Sequence, residues 1–307
     1  MINFRYHLVS LIAVFVALAI GIVLGAGPLQ ARIARSVTPA DSGAVTVDTE
    51  ALAQAEVLIS AEKAGVDHLS RRLTASTLKG IPVVTVSLPG TDGEDIASAR
   101  NALSQAGATM AGAVTLTDNW DIQGMEQYRQ TLSTPLSSHT VRQIPADATS
   151  DAVIGYAIVD VLTTTGAERD IAAEILTDAT TPILTLDEDP KGTAQAIVVI
   201  GPRNSVPKNI ATDENIPVRS SSAWMGLARA IAAAPRGGVL VGDASHAQSM
   251  LAQIRSLSVP VTTVDQVGTN SANLAMVLAL PQANEQARSF GVGEGSTEVF
   301  PVIEKLN

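Results

Sequence analysis

The sequence contains no cysteine, and this absence limits the chemistry that the chain can perform. Disulfides, thiolate zinc sites, iron–sulfur clusters and cysteine nucleophiles are all excluded. Aromatic residues make up only 3% of the 307 residues. Charged residues make up 16%, compared with roughly a quarter in a typical soluble domain. The length allows one or two domains, and part of the chain must be unusually apolar.

Positive charge is scarce beyond the N-terminal segment. The chain has 20 basic and 30 acidic residues, for a formal net charge of −10. Residues 1–35 contain Arg5, Arg32 and Arg35 but no acidic residue, so the rest of the chain is more acidic than the total suggests. An acidic body is repelled by phosphate backbones, and this argues against nucleic acid as a partner.

The longest apolar run extends from Leu8 to Leu29. About 20 apolar residues span a bilayer as a helix, whereas the apolar part of a cleaved secretory signal has only about 7 to 15. No clear Ala-x-Ala cleavage site follows the run. We therefore predict a single transmembrane helix at 8–29 after a cytoplasmic tail at 1–7. Since long domains translocate largely regardless of flanking charge, the body is expected to be extracytoplasmic.

Small residues recur every four positions within this predicted anchor. They are Ala13, Ala17, Gly21 and Gly25. A stripe of this kind lets another helix approach closely in lipid, so it predicts helix–helix packing. The alternative is that small residues are simply common in membrane helices and in this alanine-rich chain.

Residues 30–80 are predicted to form a linker and a short, coiled-coil-like stalk. After a polar stretch at 36–48, apolar residues recur at intervals of seven, which indicates a heptad array. The seam residues are Leu52, Ile59, Val66 and Leu73, with Ala55 and Leu69 at second-seam positions. Glu62 on the seam and Gly65 inside the run weaken the pattern. Two interpretations stay open: a stalk that pairs in a dimer, or a helix packed on its own domain.

Residues 81–307 are predicted to form an α/β domain. A β-branched run at 82–88, helical spacing from Asp95 to Ala106 and a second strand at Ala113–Leu116 indicate a βαβ unit. Apolar residues at helical intervals predict a helical insertion between about 120 and 180. Strands resume at Ala196–Ile200, Val239–Val241 and Val261–Val264, and helices are expected to start near Ser220 and Ser245. This alternation predicts a doubly wound, mostly parallel sheet.

Several segments resemble one known family. They are FRYHLVSLIAVFVALAIGIVLGAGPL at the start, VVTVSLPG, TTVDQVGT, VLAL, and FGVGEGSTEVFP near the end. Together with the heptad stalk, they are similar to the MctB family of actinobacterial copper-transport proteins. The resemblance implies a cell envelope protein of copper efflux or homeostasis, described for the family as lying in the outer membrane. Members are also connected with cell separation, which implies an alternative role as a scaffold for membrane and cell-wall proteins.

Candidate copper ligands are few. Copper(I) prefers thiolate and thioether ligands and also uses imidazole. The four histidines and six methionines do not cluster, and only His246 and Met250 stand at i and i+4 in a predicted helix. Asp243 lies just before them, at the carboxyl end of a predicted strand, where open α/β sheets place their ligand crevice. These three residues form the predicted metal site, and a capped amphipathic helix is the alternative. Copper enters as a cofactor only through the family resemblance.

Enzyme motifs are absent from the sequence. It contains no Gly-x-Ser-x-Gly elbow, no phosphate-binding loop and no His-Glu-x-x-His pattern. The glycines at 291, 293 and 295 are interpreted as a turn. The acids Asp92, Glu94 and Asp95 are interpreted as a helix first turn, where the helix dipole favours them. An enzyme is therefore not expected, although a deep polar pocket around Asp243 and His246 would favour one.

Taken together, the residues predict a membrane-anchored, non-enzymatic protein. A chain with one membrane helix and no ligand cluster is expected to act as an accessory or assembly partner rather than as a pore, because a pore needs several helices or a closed barrel. The expected partners are the membrane and either a second copy of the chain or another membrane protein.

Overall fold

The computed structural model describes residues 49–205, 218–283 and 286–302. Contacts divide the chain into two units, residues 1–58 and 59–307. The predicted anchor at 8–29, with its stripe of small residues, lies outside the described residues. Within the described ranges, none of the helices combines the length and the apolar character that a bilayer crossing requires.

Helices and strands alternate along most of the described chain, except that three helices lie between β2 and β3 and that β4 follows β3 directly. The helices are α1 (Thr49–Leu73), α2 (Gly93–Gln105), α3 (Glu126–His139), α4 (Ser150–Thr163), α5 (Ala167–Leu176), α6 (Ser221–Ala232), α7 (Met250–Ser256) and α8 (Asn270–Ala279). The strands are β1 (Pro82–Ser87), β2 (Thr109–Leu116), β3 (Leu184–Glu188), β4 (Ala196–Ile200), β5 (Gly238–Val241), β6 (Thr262–Val264) and β7 (Arg288–Phe290).

The strands form one seven-stranded sheet in the order β3-β2-β1-β4-β5-β6-β7. All neighbours are parallel except β3, which runs antiparallel to β2. The central strands β4 and β5 are buried at every position, as expected for parallel strands covered on both faces. The predicted α/β fold with a mostly parallel, doubly wound sheet is confirmed.

The core lies on both faces of this sheet. Ile197 and Val199 of β4 belong to an apolar cluster that includes α4 and α6. Ala196, Val198 and Ile200 point to the other face, where they join a cluster that includes α2 and α8. The period of two along the strand therefore sends alternate side chains into two separate apolar layers.

The predicted helical insertion is present as α3, α4 and α5, between β2 and β3. Its central helix, α4, packs closely against α6 through two glycines. A Cβ atom at Gly155 would lie 2.8 Å from the carbonyl oxygen of Gly226, and one at Gly226 would lie 2.7 Å from the amide nitrogen of Ala152. The two helix backbones meet so closely because neither glycine has a side chain.

One predicted helix start is confirmed and another is wrong. Ser220 caps α6, since its side chain accepts a hydrogen bond from the amide of Ala223. The helix predicted from Ser245 begins only at Met250. Asp243 accepts a hydrogen bond from the Ser245 amide at 2.8 Å, and Ser249 Oγ accepts one from the His246 amide at 3.1 Å. These bonds hold 245–249 in a turn, because the side chains compete with the helix for backbone groups.

The predicted stalk is a helix, and it ends at Leu73 rather than at Lys79. Leu52 and Ile59 on the predicted seam are 50% and 64% exposed, whereas Val66 and Leu73 are half-buried. The Asn270 amide group donates to the carbonyl oxygen of Lys63 at 3.1 Å, which joins this helix to α8. Pairing of the stalk with a partner stays a prediction.

Candidate functional site

An open cleft lies at the carboxyl edge of the sheet, where ligands bind in many open α/β folds. Its volume is about 400 Å³. The loops that follow β4, β5, β6 and β7 supply its walls. Its polar side chains come from Arg203, Asp243, Ser245, Asp265, Gln266 and Glu294. The sequence prediction placed Asp243 at this edge, and the structure agrees.

The Asp243 side chain connects the loops after β4 and β5. It is only 4% exposed. It accepts hydrogen bonds from the amide and hydroxyl of Ser205, both at 3.0 Å, and from the Ser245 amide at 2.8 Å. Burial raises the pKa of the Asp243 carboxyl, but these hydrogen bonds outweigh it and hold the pKa below its usual value. Asp243 is therefore a carboxylate fixed by its own chain.

Asp265, which follows β6, forms a buried ion pair with Arg255 of α7. The two side chains are each 2% exposed, and Arg255 Nη1 lies 2.9 Å from Asp265 Oδ2. Arg255 also donates to Thr263 Oγ1 and to the carbonyl oxygens of Phe290 and Glu294, each at 2.9 Å. The guanidinium thus joins α7 to β6, to β7 and to the segment after β7.

The same carboxylate holds the glycine-rich segment at 291–295. Asp265 accepts hydrogen bonds from the amides of Val292 and Gly293, both at 3.0 Å. A Cβ atom at Gly291, whose φ is +124°, would lie 2.1 Å from Asp265 Oδ1. Glycine is therefore required there by both the backbone angle and the close approach. The sequence interpretation of this run as a turn is confirmed.

A second ion pair lies at the carboxyl edge of the sheet between β1 and β4, where the strand order reverses. Arg203 Nε and Nη2 donate to the two oxygens of Asp95, both at 2.7 Å. These hydrogen bonds raise the pKa of Arg203. Asp95 lies in the first turn of α2, as predicted, and is 3% exposed. The pair joins the start of α2 to the loop after β4 at the position where a doubly wound sheet commonly binds its ligand.

The three residues of the predicted metal site lie in different surroundings. Met250 is 2% exposed, and its methyl group lies against the backbone at Gly201 and Gly242, where added Cβ atoms would be 2.9 and 3.0 Å away. His246 is exposed in the turn before α7. The cleft lining includes Asp243 but neither His246 nor Met250.

The i, i+4 spacing that suggested this site is not helical, because the helix starts later than expected. In the described ranges, no three or more His, Asp or Glu side chains are grouped so that they could hold a metal ion. Copper binding by His246, Met250 and Asp243 stays a prediction.

Sequence reasoning missed Arg203, Arg255 and Asp265. One signal was readable, because Asp265 follows a parallel strand just as Asp243 does. No comparable signal identified the arginines, since each partner lies on a different element from its aspartate.

The sequence comparisons point to one protein family. A family model described as "Copper transport outer membrane protein, MctB" matches residues 1–301. Proteins named "Copper transporter MctB" from Mycobacterium tuberculosis and Mycobacterium bovis are 25% identical over 323 residues, which cover 97% of this chain and 99% of theirs. The protein of that name from Mycobacterium leprae is 25% identical over 326 residues, with the same coverage. Because the family model spans nearly the whole sequence, the chain belongs to the MctB family.

Proposed function

We propose that this chain is a non-enzymatic cell envelope protein that serves copper transport or homeostasis as an accessory or assembly partner rather than as a pore. The copper role is inferred from the family description and from the names of the mycobacterial relatives. The accessory role is inferred from the carboxyl edge of the sheet. The two parts rest on different observations and can be tested separately.

The observation that carries the accessory role is how the charged groups at the cleft are used. The carboxylates of Asp95, Asp243 and Asp265 each bond to another loop or helix of the same chain. An acid or base catalyst must instead reach the substrate and exchange a proton with it. Enzymes with open α/β sheets commonly place their reacting groups at the carboxyl edge of the sheet. In this chain, the carboxylates at that edge hold loops together, and this supports a binding or assembly role.

The positions of the imidazole and thioether groups support the proposal that the α/β unit binds copper at most weakly. A tight site needs several converging ligands, each oriented by a further hydrogen bond. The Met250 side chain is packed in the core beside two glycines, and His246 is in an exposed turn. We expect calorimetry of the full chain with copper(I) to detect at most weak binding. Tight, stoichiometric binding that is lost in His246→Ala would overturn the accessory role and would place the site.

The proposal includes an anchor at 8–29, a cytoplasmic tail at 1–7 and an extracytoplasmic α/β domain. The description of the family as an outer membrane protein supports an envelope location. Pairing through the seam of α1 is part of the proposal, and the exposure of Ile59 and Leu69, 64% and 56%, supports it. Burial of one large apolar side chain against a partner stabilises the pair by about 1.5 to 3 kcal/mol.

A deletion strain tests the proposed role. Full-length chain should restore copper tolerance, whereas Ile59→Asn should not, because a polar amide on the seam weakens pairing. Ser60→Asn is the matched control, since it adds the same amide one residue away and off the seam. If deletion leaves copper tolerance unchanged and the cells stay attached after division, the copper role fails and the scaffold role in cell separation replaces it.

A further inference from the structure

The side of α1 that faces its own α/β unit is polar. A groove of about 80 Å³ separates α1 from α2 and α8. On the α1 side it is lined by Asp67, Ser70, Arg71 and Thr74, and on the other side mainly by serine, asparagine and glutamine. The helix is thus attached to its unit through hydrogen-bonding groups, including the bond from Asn270 to the Lys63 carbonyl.

The apolar side of α1 is only partly covered in this arrangement. In heptad terms, Ile59, Val66 and Leu73 occupy position a, and Leu69 occupies position d. Ile59 is 64% exposed and Leu69 is 56% exposed, while Val66 and Leu73 are half-buried. An a and d seam of this kind fits one type of occupant, a second helix.

Glu62 occupies the d position between Ile59 and Val66. The Glu62 side chain is exposed, and within the described residues it takes part in no ion pair. A carboxylate buried in an apolar seam is costly unless a positive charge neutralises it. The occupant of the seam must therefore bring a cation to this layer.

We propose that the occupant is the α1 helix of a second copy, parallel and in register, and that Glu62 and Lys63 select this arrangement. In a parallel pair, a d side chain packs beside the d residue of the partner and the e residue that follows it. The residue that follows Glu62 is Lys63, which is exposed and uses only its carbonyl to bond Asn270. Each Glu62 would then meet the Lys63 of the other copy, in two equivalent pairs that offset the repulsion between the two Glu62 carboxylates in the same layer.

An antiparallel pair lacks this compensation. There, d residues pack against a residues, and every a position of this seam is apolar. Glu62 would be buried against Ile59, Val66 or Leu73 in any such register. The inference rests on the proposed pairing of α1, and the proposed anchor adds to it, because two copies in one membrane present their helices in the same direction.

The cysteine-free sequence makes a direct test available. Single cysteines are introduced into the full chain in native membranes, as Ile59→Cys and, separately, as Leu69→Cys. A parallel, in-register pair places each cysteine beside its own counterpart. The two Cα atoms would then lie within the roughly 4.4 to 6.8 Å, typically about 5.5 Å, that a disulfide spans. We expect both variants to form disulfide-linked dimers on oxidation. Ser60→Cys and His68→Cys, which lie off the seam, are the controls and should not.

Charge exchange on the Ile59→Cys background then tests the role of the two charged residues. Glu62→Lys alone or Lys63→Glu alone puts like charges together at the centre of the seam, and each should reduce the crosslinking rate at least tenfold. The double variant restores opposite charges and should recover most of the wild-type rate. Ser60→Lys is the control for an added charge outside the seam, and tryptophan fluorescence confirms that each variant is folded.

The crosslinking results distinguish the parallel, in-register arrangement from the pairing of α1 itself. Crosslinking through only one of the two seam cysteines would indicate an antiparallel or shifted pair and would overturn the inference while pairing stands. A double variant no faster than either single variant would likewise overturn it. If neither seam cysteine crosslinks, the proposed pairing itself fails.

Discussion

Replacement of Asp265 by asparagine removes one charge from the most deeply buried ion pair at the cleft. Asp265→Asn keeps the shape of the side chain, so the perturbation is electrostatic. Arg255, which is 2% exposed, would keep its charge without a carboxylate beside it. One of the amides of Val292 and Gly293 would also lose its acceptor, because the new amide nitrogen can only donate.

The magnitude follows from the geometry of this pair. Removal of one partner of a buried ion pair costs about 3 to 5 kcal/mol, largely because the other charge is left buried. A buried amide without an acceptor adds roughly 1 to 3 kcal/mol. Arg255 still donates to three oxygens, which lowers the total. We therefore expect a loss of about 3 kcal/mol or more in the free energy of unfolding.

Urea unfolding of the full chain in mild detergent measures this loss. The two tryptophans, Trp120 and Trp224, are 1% and 6% exposed, so their fluorescence reports unfolding of the α/β unit. Hydrogen exchange at Val292 and Gly293 shows whether the glycine-rich segment is released. Asp147→Asn is the matched control, because its ion pair with Arg229 is exposed and should contribute at most about 1 kcal/mol. A loss below about 1 kcal/mol for Asp265→Asn, with unchanged exchange, would refute the reasoning.

Further substitutions test the helix packing, the buried carboxylate at the cleft and the predicted anchor. Gly226→Ala should destabilise the fold by about 1 to 3 kcal/mol in thermal unfolding because its Cβ meets α4, whereas Gly65→Ala, with no atom within 4 Å, should stabilise it by up to about 1 kcal/mol. Asp243→Asn should destabilise the fold at pH 7. The difference in the free energy of unfolding from wild type should shrink as the pH falls below about 4, because the folded pKa of Asp243 lies below the unfolded value of about 3.9. A difference that stays constant down to pH 2 would contradict this. Gly21→Leu together with Gly25→Leu should reduce crosslinking of the anchor in membranes, and an unchanged yield would count against the packing stripe.

The sheet could be predicted because its central strands are short β-branched runs between helical segments. The predicted strand Ala196–Ile200 has the same bounds as β4, and the strand predicted at 82–88 differs from β1 by one residue. The edge strands were missed for physical reasons. β3 carries Asp187 and Glu188 and is mostly exposed, and β7 has only three residues, so neither has the pattern of a buried strand.

The edge of the sheet shows which part of a site a sequence can predict. Position is readable, because an aspartate that follows a parallel strand must lie at the carboxyl edge. The side chain that bonds to each aspartate cannot be predicted in the same way. Asp95 and Arg203 are separated by 108 residues and meet only because of the strand order in the sheet. An unpaired acid at this edge would favour ligand chemistry, whereas a paired one stabilises the loops. The partners found in the structure therefore support the proposed accessory role, and they direct the search for the interaction surface from the cleft to the seam of α1.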